Sequence, residues 1–260
     1  NIICTVSNLE NALFIKLDPY GNLTDSLRIL NPDGPCELME LVRISDSSFA
    51  AVGSYMMGED PHLWFVKLDY DLNLLADHKY PVDHLPAGQE THAILSRANT
   101  FIVAATLDYP YYVAMFEIDQ SGMLLNQKYF NDSYFNVSYD LLEDTSTNQY
   151  KVVSLSKVSR VGCNIFNVTM NLDLINNSEL SMYFDEQNTA KWLSDSTYML
   201  SGRFTHSTKG VENDVGLLKL SKSDSIIDSL YLGKQYMVEW PALHDNMDFI
   251  SKDKIFFVNY

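Results

Sequence analysis

Apolar residues occur along this chain in short runs that are separated by Gly, Asn, Asp, Ser and Pro. The runs are rich in aliphatic, aromatic and β-branched residues, and their length and composition predict β-strands. No segment keeps a helical period with recognisable caps. Residues 37–44 come nearest to one, but the repeat described next places them on a strand. The pattern therefore predicts an all-β chain.

The strand pattern recurs five times in blocks of roughly fifty residues, which indicates a repeat architecture. The clearest block contains residues 48–55, 63–69 and 74–82, and its middle element ends in Lys-Leu-Asp. Related middle elements occupy residues 13–18, 113–119, 166–173 and 215–221. The repeats are anchored at Asp18, Asp69, Asp119, Asp173 and Ser221.

Each block contains four predicted strands, of which the second is small and apolar and the third carries the Lys-Leu-Asp pattern. Four short antiparallel strands per unit, repeated around a ring, predict a β-propeller. A straight β-solenoid is the competing architecture, but its repeats are usually shorter and lack such hairpin turns. Ala50, Ala51 and Gly53 fit strands that crowd together near a propeller axis. We expect residues 1–260 to form a single propeller domain.

Tight turns are predicted between the third and fourth strands, at residues 18–22, 69–73, 119–122 and 173–177. An Asp at the strand end accepts hydrogen bonds from backbone amides two residues on, and Gly or Asn supplies the positive φ of a hairpin. Asp69, Asp71 and Asn73 have the opening spacing of a calcium loop. However, Leu74 stands where that loop requires Gly, and Tyr80 stands where it requires an acid. Hairpin chemistry therefore explains these acids better than calcium does.

The number of blades depends on how the ring closes. Third-type strands number five, whereas second-type strands number six, because residues 2–6 open the chain and residues 254–258 close it. Pairing the C-terminal strands with the N-terminal ones would remove an exposed edge. Residues 255–258 would then join residues 13–17, and residues 2–6 would compete for the same position. We favour five blades, with six as the alternative if residues outside this chain complete another.

The best-preserved elements, within residues 45–80 and 13–22, combine aromatic-x-x-x-Gly-Ser, aromatic-Val-Lys-Leu-Asp and x-x-Gly-Asn sequences. This combination resembles the β-propeller repeats of secreted and surface proteins of Bacteroidetes and related bacteria. The resemblance is fainter after residue 119, where Gly is often replaced and the fourth strand lacks the family's usual Trp. It implies a propeller in the periplasm or at the cell surface, and it carries no catalytic residues. Asn1 in place of Met agrees with removal of a signal peptide or lipoprotein leader.

The net charge of the chain limits the classes of molecule that it is expected to bind. Acids outnumber bases 34 to 18, and the formal charge of -16 repels nucleic acid and anionic lipid. No apolar run reaches the roughly eighteen residues that suggest a membrane-spanning helix, so we predict no transmembrane segment. Cys4, Cys36 and Cys163 lie far apart without metal-ligand spacing, although one disulfide remains an option. Cys4 falls in an apolar strand pattern and is expected to be a small core residue.

Catalytic motifs are absent from the sequence. It contains no nucleophile elbow, zinc-protease motif, P-loop or dinucleotide fingerprint, so no cofactor is predicted. The adjacent acids Glu59 and Asp60 would point apart on a strand. These observations favour a non-catalytic, exported binding or scaffold module with a glycan or protein ligand. The alternatives are a polysaccharide-acting enzyme that uses loop carboxylates and a purely structural propeller within a larger surface assembly.

Candidate ligand-binding residues lie in the predicted loops at one end of the propeller. These loops join second strands to third strands, or one blade to the next, and they hold most of the histidines. Aromatic rings stack on sugar faces and carboxylates accept hydroxyl protons, so the loops suit carbohydrate or peptide binding. The histidines lack metal-ligand spacing, so no metal site is predicted. The candidates are Tyr55, Glu59, His62, His84, Asp108, Tyr109, Tyr111, Tyr112, His206, Trp240 and His244.

Overall fold

The structure, a computed structural model, describes residues 2–8, 11–32, 34–58, 60–82, 93–107, 112–130, 136–156, 163–180, 184–205, 213–232, 247–251 and 254–257. Every helix or strand element in these ranges is a β-strand, which confirms the all-β prediction. No helix in them is long and apolar enough to cross a membrane. The strands are β1 (Ile2–Asn8), β2 (Asn11–Leu17), β3 (Leu23–Leu30), β4 (Cys36–Ser45), β5 (Ser48–Met57), β6 (Asp60–Asp69), β7 (Leu74–Pro81), β8 (Ala93–Ser96), β9 (Thr100–Leu107), β10 (Tyr112–Asp119), β11 (Leu124–Phe130), β12 (Asn136–Asp144), β13 (Gln149–Ser156), β14 (Cys163–Thr169), β15 (Leu174–Leu180), β16 (Phe184–Ser194), β17 (Thr197–Thr205), β18 (Asn213–Ser221), β19 (Ile226–Leu232), β20 (Met247–Ser251) and β21 (Lys254–Phe257).

The strands form antiparallel sheets in which neighbours in sequence are also neighbours in space. Four sheets have four strands each, namely β4–β7, β8–β11, β12–β15 and β16–β19. The sheet β1–β3 has three strands, and β20 pairs with β21. The chain divides into two compact units, Asn1–Tyr129 (unit 1) and Phe130–Tyr260 (unit 2). Each four-stranded sheet is the meander that the repeat predicted.

The core of unit 1 lies between its sheets. Phe65 of β6 contacts Phe101 of β9, with ring centroids 5.0 Å apart. The preceding residue, Trp64, points to the opposite face of the same sheet and packs in a cluster with Phe14 of β2. Both Trp64 and Phe65 are fully buried, so both faces of the sheet are covered at this point. By contrast, the outermost strand of this sheet exposes Leu75.

Small residues on the second strand allow neighbouring strands to approach closely. Ala50 and Ala51 are buried on β5. At Gly53 an added Cβ atom would lie 1.8 Å from the backbone oxygen of Glu37 on β4. Only glycine fits at that distance, in agreement with the crowding predicted for these positions.

The fourth repeat has a different register from the one predicted. β14 ends at Thr169, and the turn follows that residue. Thr169 Oγ1 accepts hydrogen bonds from the backbone N–H groups of Asn171 (3.2 Å) and Asp173 (3.1 Å), as an Asp carboxylate does in other copies. The anchor of this repeat is therefore Thr169 rather than Asp173, and residues 174–177 belong to β15 instead of a turn. Leu172 and Asp173 have the same residue types as the Leu-Asp pair of the motif, but they lie four residues after the equivalent position at Val168 and Thr169.

The first strand occupies the position for which two segments were expected to compete. β1 pairs with β2 from Ile2 opposite Leu17 to Asn8 opposite Asn11, and β3 takes the other edge of β2. Both edges of β2 are thus filled, so residues 255–258 have no place beside it. Their described part belongs to β21, which pairs with β20. The five sheets of three or four strands agree with the five blades favoured from the sequence, and the β20–β21 hairpin is additional.

Candidate functional site

The two ends of each four-stranded sheet differ. At the turn end, short turns join the first strand to the second and the third strand to the fourth. At the loop end lie the connections between second and third strands and those between sheets. The turns at 70–73, 120–123, 170–173 and 222–225 have equal lengths. The loop-end connections between second and third strands, at 58–59, 108–111, 157–162 and 206–212, have unequal lengths. Variation in length is therefore greatest at the loop end.

The structure describes the side chains of two candidate residues, Tyr55 and His62. The backbone of Tyr112 begins β10, but its side chain lies outside the described part of the structure. The other candidates also lie outside the described residues; they are Glu59, His84, Asp108, Tyr109, Tyr111, His206, Trp240 and His244.

Tyr55 and His62 are strand residues that face each other across β5 and β6. The segment between them was predicted to be a loop, but β5 continues to Met57 and β6 begins at Asp60, which leaves two residues as the connection. His62 is half-buried, and its Nδ1 lies 3.0 Å from the backbone oxygen of Asp60. The pair therefore marks the loop end of this sheet.

Tyr55 packs in the core of unit 1 with 7% of its surface exposed. Its ring meets Trp64 edge-on, with centroids 5.2 Å apart, and Lys79 Nζ lies 4.6 Å from its centroid. Lys79 Nζ also donates to both carboxylate oxygens of Asp77, at 2.8 and 2.9 Å. Asp77 Oδ1 accepts a further hydrogen bond from Trp64 Nε1 at 2.8 Å. The cation on the outer strand is thus neutralised by a carboxylate two residues before it.

The chemistry that recurs at the turn end of the repeats is hairpin capping, as the sequence predicted. Asp69 Oδ1 accepts hydrogen bonds from the backbone N–H groups of Asp71 and Asn73, each at 2.8 Å. Asn73 Nδ2 donates to Asp69 Oδ2 at 2.8 Å. This side-chain bond, followed by the backbone bonds, lowers the pKa of Asp69 from its ordinary value. Asp18 and Asp119 cap their turns in the same way. Among the described residues, no group of three His, Cys, Asp or Glu side chains is arranged to hold a metal ion.

The third residue after each anchor has a positive φ. These residues are Gly21 (84°), Leu72 (61°), Gly122 (91°), Leu172 (64°) and Asp224 (66°). A left-handed conformation costs an ordinary residue roughly 1–2 kcal/mol. Burying a leucine contributes about 1.5–3 kcal/mol, and Leu172 is fully buried, so its burial offsets the strain. A side chain at this third position can therefore be buried, as Leu172 is. The same geometry buries Asp224, which occupies the third position of the last turn.

The lysine of the Lys-Leu-Asp motif connects one sheet to the next. Lys16 Nζ of β2 lies 3.2 Å from Asp71 Oδ1 and 4.0 Å from the centroid of the Tyr70 ring, in the turn after β6. Lys67 Nζ of β6 donates to the backbone oxygen of Gln120 (2.9 Å), in the turn after β10, and to its side-chain oxygen (3.1 Å). The recurring lysine is thus a bridge between neighbouring repeats.

In unit 2 the corresponding bridge is a buried network, the Lys151 cluster, formed by Lys151, Asn167, Tyr198 and Asp224. Lys151 Nζ donates to Asp224 Oδ1 (2.7 Å) and to Asn167 Oδ1 (2.6 Å). Asn167 Nδ2 donates to Asp224 Oδ2 (2.8 Å), and the Tyr198 hydroxyl donates to Asp224 Oδ1 (2.7 Å). Burial, followed by the charge of Asp224, raises the pKa of Tyr198, so its hydroxyl stays protonated as a donor. The cluster joins the sheets β12–β15 and β16–β19.

Asp144, at the end of β12, forms a second link between these two sheets. Its carboxylate lies 2.9 Å from Lys222 Nζ and accepts hydrogen bonds from the hydroxyls of Ser146 (2.8 Å) and Thr147 (2.6 Å). Burial opposes ionisation of Asp144, but the bonds from Lys222, Thr147 and Ser146 outweigh it and hold its pKa well below the usual 3.8. This carboxylate lines a polar cleft of about 520 Å³ at the turn end, together with Lys151, Asn167 and Asp224 of the cluster.

Replacing Asp144 with asparagine should destabilise the protein at neutral pH and have a smaller effect in acid. Because the folded-state pKa of Asp144 is below 3.8, its contribution is fully present above that pH and is lost as pH falls through the folded value. We expect a loss of about 1–3 kcal/mol at pH 7, measured from urea unfolding, and a shrinking difference below pH 4. Asp46→Asn is the control, since Asp46 is fully exposed and its pair with Arg43 contributes little. An Asp144→Asn effect that stays constant with pH would contradict the assignment.

Comparisons with known proteins establish the fold. No protein-family model and no curated protein matches the sequence. Among solved structures, the chain is similar to hydrazine synthase of Kuenenia stuttgartiensis, with a TM-score of 0.61 and 9% identity over 86% of this chain and 60% of that one. A protein from Lactobacillus plantarum matches with a TM-score of 0.56 and 14% identity, over 90% of this chain and 68% of that one. A subtype N10 neuraminidase-like protein of A/little yellow-shouldered bat/Guatemala/060/2010 matches with a TM-score of 0.51 and 11% identity. That match covers 85% of this chain and 73% of the other.

These structural neighbours are β-propeller proteins, and the four-stranded antiparallel sheets of this chain match theirs. The β-propeller prediction is therefore confirmed. At such low identities the similarity concerns the fold alone. The chain also spans only 60% of the length of the hydrazine synthase chain, so that protein's activity is not carried over.

Proposed function

We propose that this β-propeller is a non-catalytic binding module, exported to the periplasm or the cell surface, that holds a glycan or a protein at its loop end. The observation that carries the proposal is the contrast between the two ends. Third-to-fourth strand turns have four or five residues and share one capping pattern, whereas the second-to-third strand connections run from two residues (58–59) in one repeat to seven (206–212) in another. Binding residues are commonly found on variable connections held by a rigid scaffold.

The structural roles of the repeated polar residues support a binding rather than a catalytic role. Asp69 caps a turn and Lys67 bridges two repeats, so these repeated motif residues are already engaged. A polysaccharide-cleaving enzyme needs a carboxylic acid with a raised pKa. The pKa values of the turn-end residues Asp18, Asp119 and Asp144 are lowered, so these three carboxylates do not meet that requirement. The exported location rests on the resemblance of the repeats to those of secreted bacterial propellers, and attachment through a lipid is part of the same proposal.

Truncation of Trp240, which the sequence predicts to lie in a loop, should weaken binding of a ligand found by glycan-array and protein-array screening. We expect Trp240→Ala to lower the affinity by at least about tenfold, because aromatic residues that contact a ligand commonly contribute most of the binding energy. The measurement is isothermal titration of the purified full chain with the strongest ligand from the screen.

Tyr20→Ala is the matched control, since Tyr20 is an aromatic residue at the turn end with 90% of its surface exposed. It should leave the affinity unchanged. The proposal is overturned if the screens yield no ligand, or if Tyr20→Ala reduces binding while Trp240→Ala does not.

A further inference from the structure

Arg28 is held in a fixed orientation at the loop end of unit 1. It lies near the end of β3, and its Nε donates to Asn11 Oδ1 at 3.0 Å. Asn11 is 6% exposed, so the bond ties an exposed guanidinium to a buried amide. An arginine has five N–H donors, and four of them remain on the two terminal nitrogens. Within the described residues, no carboxylate forms an ion pair with Arg28.

The repeat provides an internal comparison for this arginine. Arg28 lies opposite Leu13 on β2, and Lys79 lies opposite Trp64 on β6, at the same distance from the two anchors. Lys79 is neutralised by Asp77, two residues earlier on the same face of its strand. In the first repeat the residue two positions before Arg28 is Ser26. The first repeat thus keeps the cation and lacks the carboxylate that neutralises it.

Arg28 lines a cleft of about 560 Å³ together with Asn11 and residues 30–32 and 34–35. The Asn31 side chain is fixed in this lining, because its Nδ2 donates to the backbone oxygens of Met56 at 2.8 Å and Pro35 at 3.3 Å. The lining combines a cation, two amide side chains, Leu30 and two prolines. A guanidinium with free terminal nitrogens recognises a carboxylate through two parallel hydrogen bonds.

We propose that this Arg28 cleft binds the carboxylate of a sugar acid at the end of an otherwise neutral glycan. The inference rests on the proposed binding function and specifies its ligand. The formal charge of -16 opposes the approach of a polyanion, so a single carboxylate is favoured over a highly charged chain.

The lining favours a glycan over a peptide. Peptides that add to a sheet edge or present a C-terminal carboxylate are held largely by backbone N–H groups. Pro32 and Pro35 have no backbone N–H to offer in the connection that borders the cleft. Their rings, with Leu30, instead provide apolar surface for the face of a sugar ring.

The test is titration of the full chain with an oligosaccharide that ends in one glucuronate residue and with its counterpart that ends in glucose. Wild type should prefer the glucuronate probe by on the order of 10- to 100-fold, the range expected for charge-assisted hydrogen bonds. Arg28→Gln should abolish that preference. Ser26→Asp should abolish it as well, because it supplies the neutralising carboxylate found at Asp77 without removing Arg28. Arg43→Gln, which changes an exposed arginine at the turn end, should keep it.

Each result separates this inference from the broader binding function. Equal affinity for the two probes, no binding of the glucuronate probe, or a preference that survives Arg28→Gln would overturn the sugar-acid assignment. A peptide bound through its C-terminal carboxylate, with the glucuronate probe unbound, would overturn it in favour of a protein ligand. If arrays nevertheless yield a neutral glycan or a protein, the binding function stands. If they yield nothing, both fail.

Discussion

Replacing Asp224 with alanine should lower the free energy of unfolding of unit 2 by about 3–5 kcal/mol, the range measured when one partner of a buried ion pair is removed. The side chains of Lys151 and Asp224 are only 4% and 3% exposed. Without the carboxylate, the Lys151 ammonium stays buried with Asn167 as its remaining partner in the cluster, and the Tyr198 hydroxyl loses its acceptor. The cost is therefore mainly that of buried donors left without acceptors.

Lys151, Asp224 and Tyr198 can be replaced together by apolar residues, and the other repeats show which residues fit the first two positions. Asn167 stays in place, and its Nδ2 keeps a hydrogen bond to Asn176 Oδ1 at 2.8 Å. The residue equivalent to Lys151 is Ala50, Ile102 or Met199 elsewhere, as the pairing with each third strand shows. The residue equivalent to Asp224 is Leu72 or Leu172 in two of the other turns, where it has the same positive φ. A triple variant, Lys151→Met, Asp224→Leu and Tyr198→Phe, should recover most or all of the stability, since well-packed apolar groups often replace a buried ion pair without loss.

Urea unfolding followed by tryptophan fluorescence measures the effect, and Trp192 is the tryptophan that lies beside the cluster in unit 2. The Trp192 ring contacts Tyr198 edge-on, with centroids 5.3 Å apart, so its emission reports on the Lys151 cluster. The assignment is contradicted if Asp224→Ala costs less than about 1 kcal/mol, the typical value of an ordinary hydrogen bond. It is also contradicted if the triple variant is less stable than the single one, because the ion pair would then be worth more than its desolvation cost.

The sequence predicted the elements that depend on local chemistry. The capping role of Asp69 follows from hydrogen bonds that reach only to Asn73, and the strands follow from runs of apolar residues. The turn after Thr169 was misplaced because Thr can cap in place of Asp, and Leu172-Asp173 resembles the motif. The capping signal thus locates a turn well where it occurs once. It fails in the fourth repeat, where two similar signals lie four residues apart.

The side-chain contacts between neighbouring repeats could not be predicted from the sequence pattern, because they depend on which residues meet across two sheets. Lys16 recurs as Lys67 in the motif, yet nothing local shows that each lysine reaches the next turn. In the fourth repeat Asn167 replaces this lysine, and Lys151, directly opposite on β13, supplies the cation instead. The sequence did contain one indication of this cluster, which is that a lysine, Lys151, interrupts an otherwise apolar second strand. Arg28 likewise becomes informative only when it is compared with Lys79 in the same register.

Replacing Gly53 with alanine should destabilise unit 1 by at least about 3 kcal/mol, the upper part of the usual range for an overpacked core. The new Cβ atom would lie 1.8 Å from the backbone oxygen of Glu37 and 2.7 Å from the Cα atom of Leu38. Both are backbone atoms of β4, so no side chain can rotate away. β4 already has an irregular register between Leu38 and Glu40, and further displacement would break its pairing with β5.

Urea unfolding followed by tryptophan fluorescence measures the change, and Trp64 lies directly opposite Gly53 on β6. Gly58→Asn is the matched control on the same hairpin. Gly58 has a positive φ of 66° with nothing within 4 Å of an added Cβ, and Asn tolerates that conformation. The control should therefore change stability by less than about 1 kcal/mol. A Gly53→Ala midpoint close to wild type would mean that β4 and β5 separate at little cost, and the close approach would then have no structural role. A large loss at Gly53 beside a small one at Gly58 would instead assign the effect to the space between two backbones rather than to glycine's freedom of conformation.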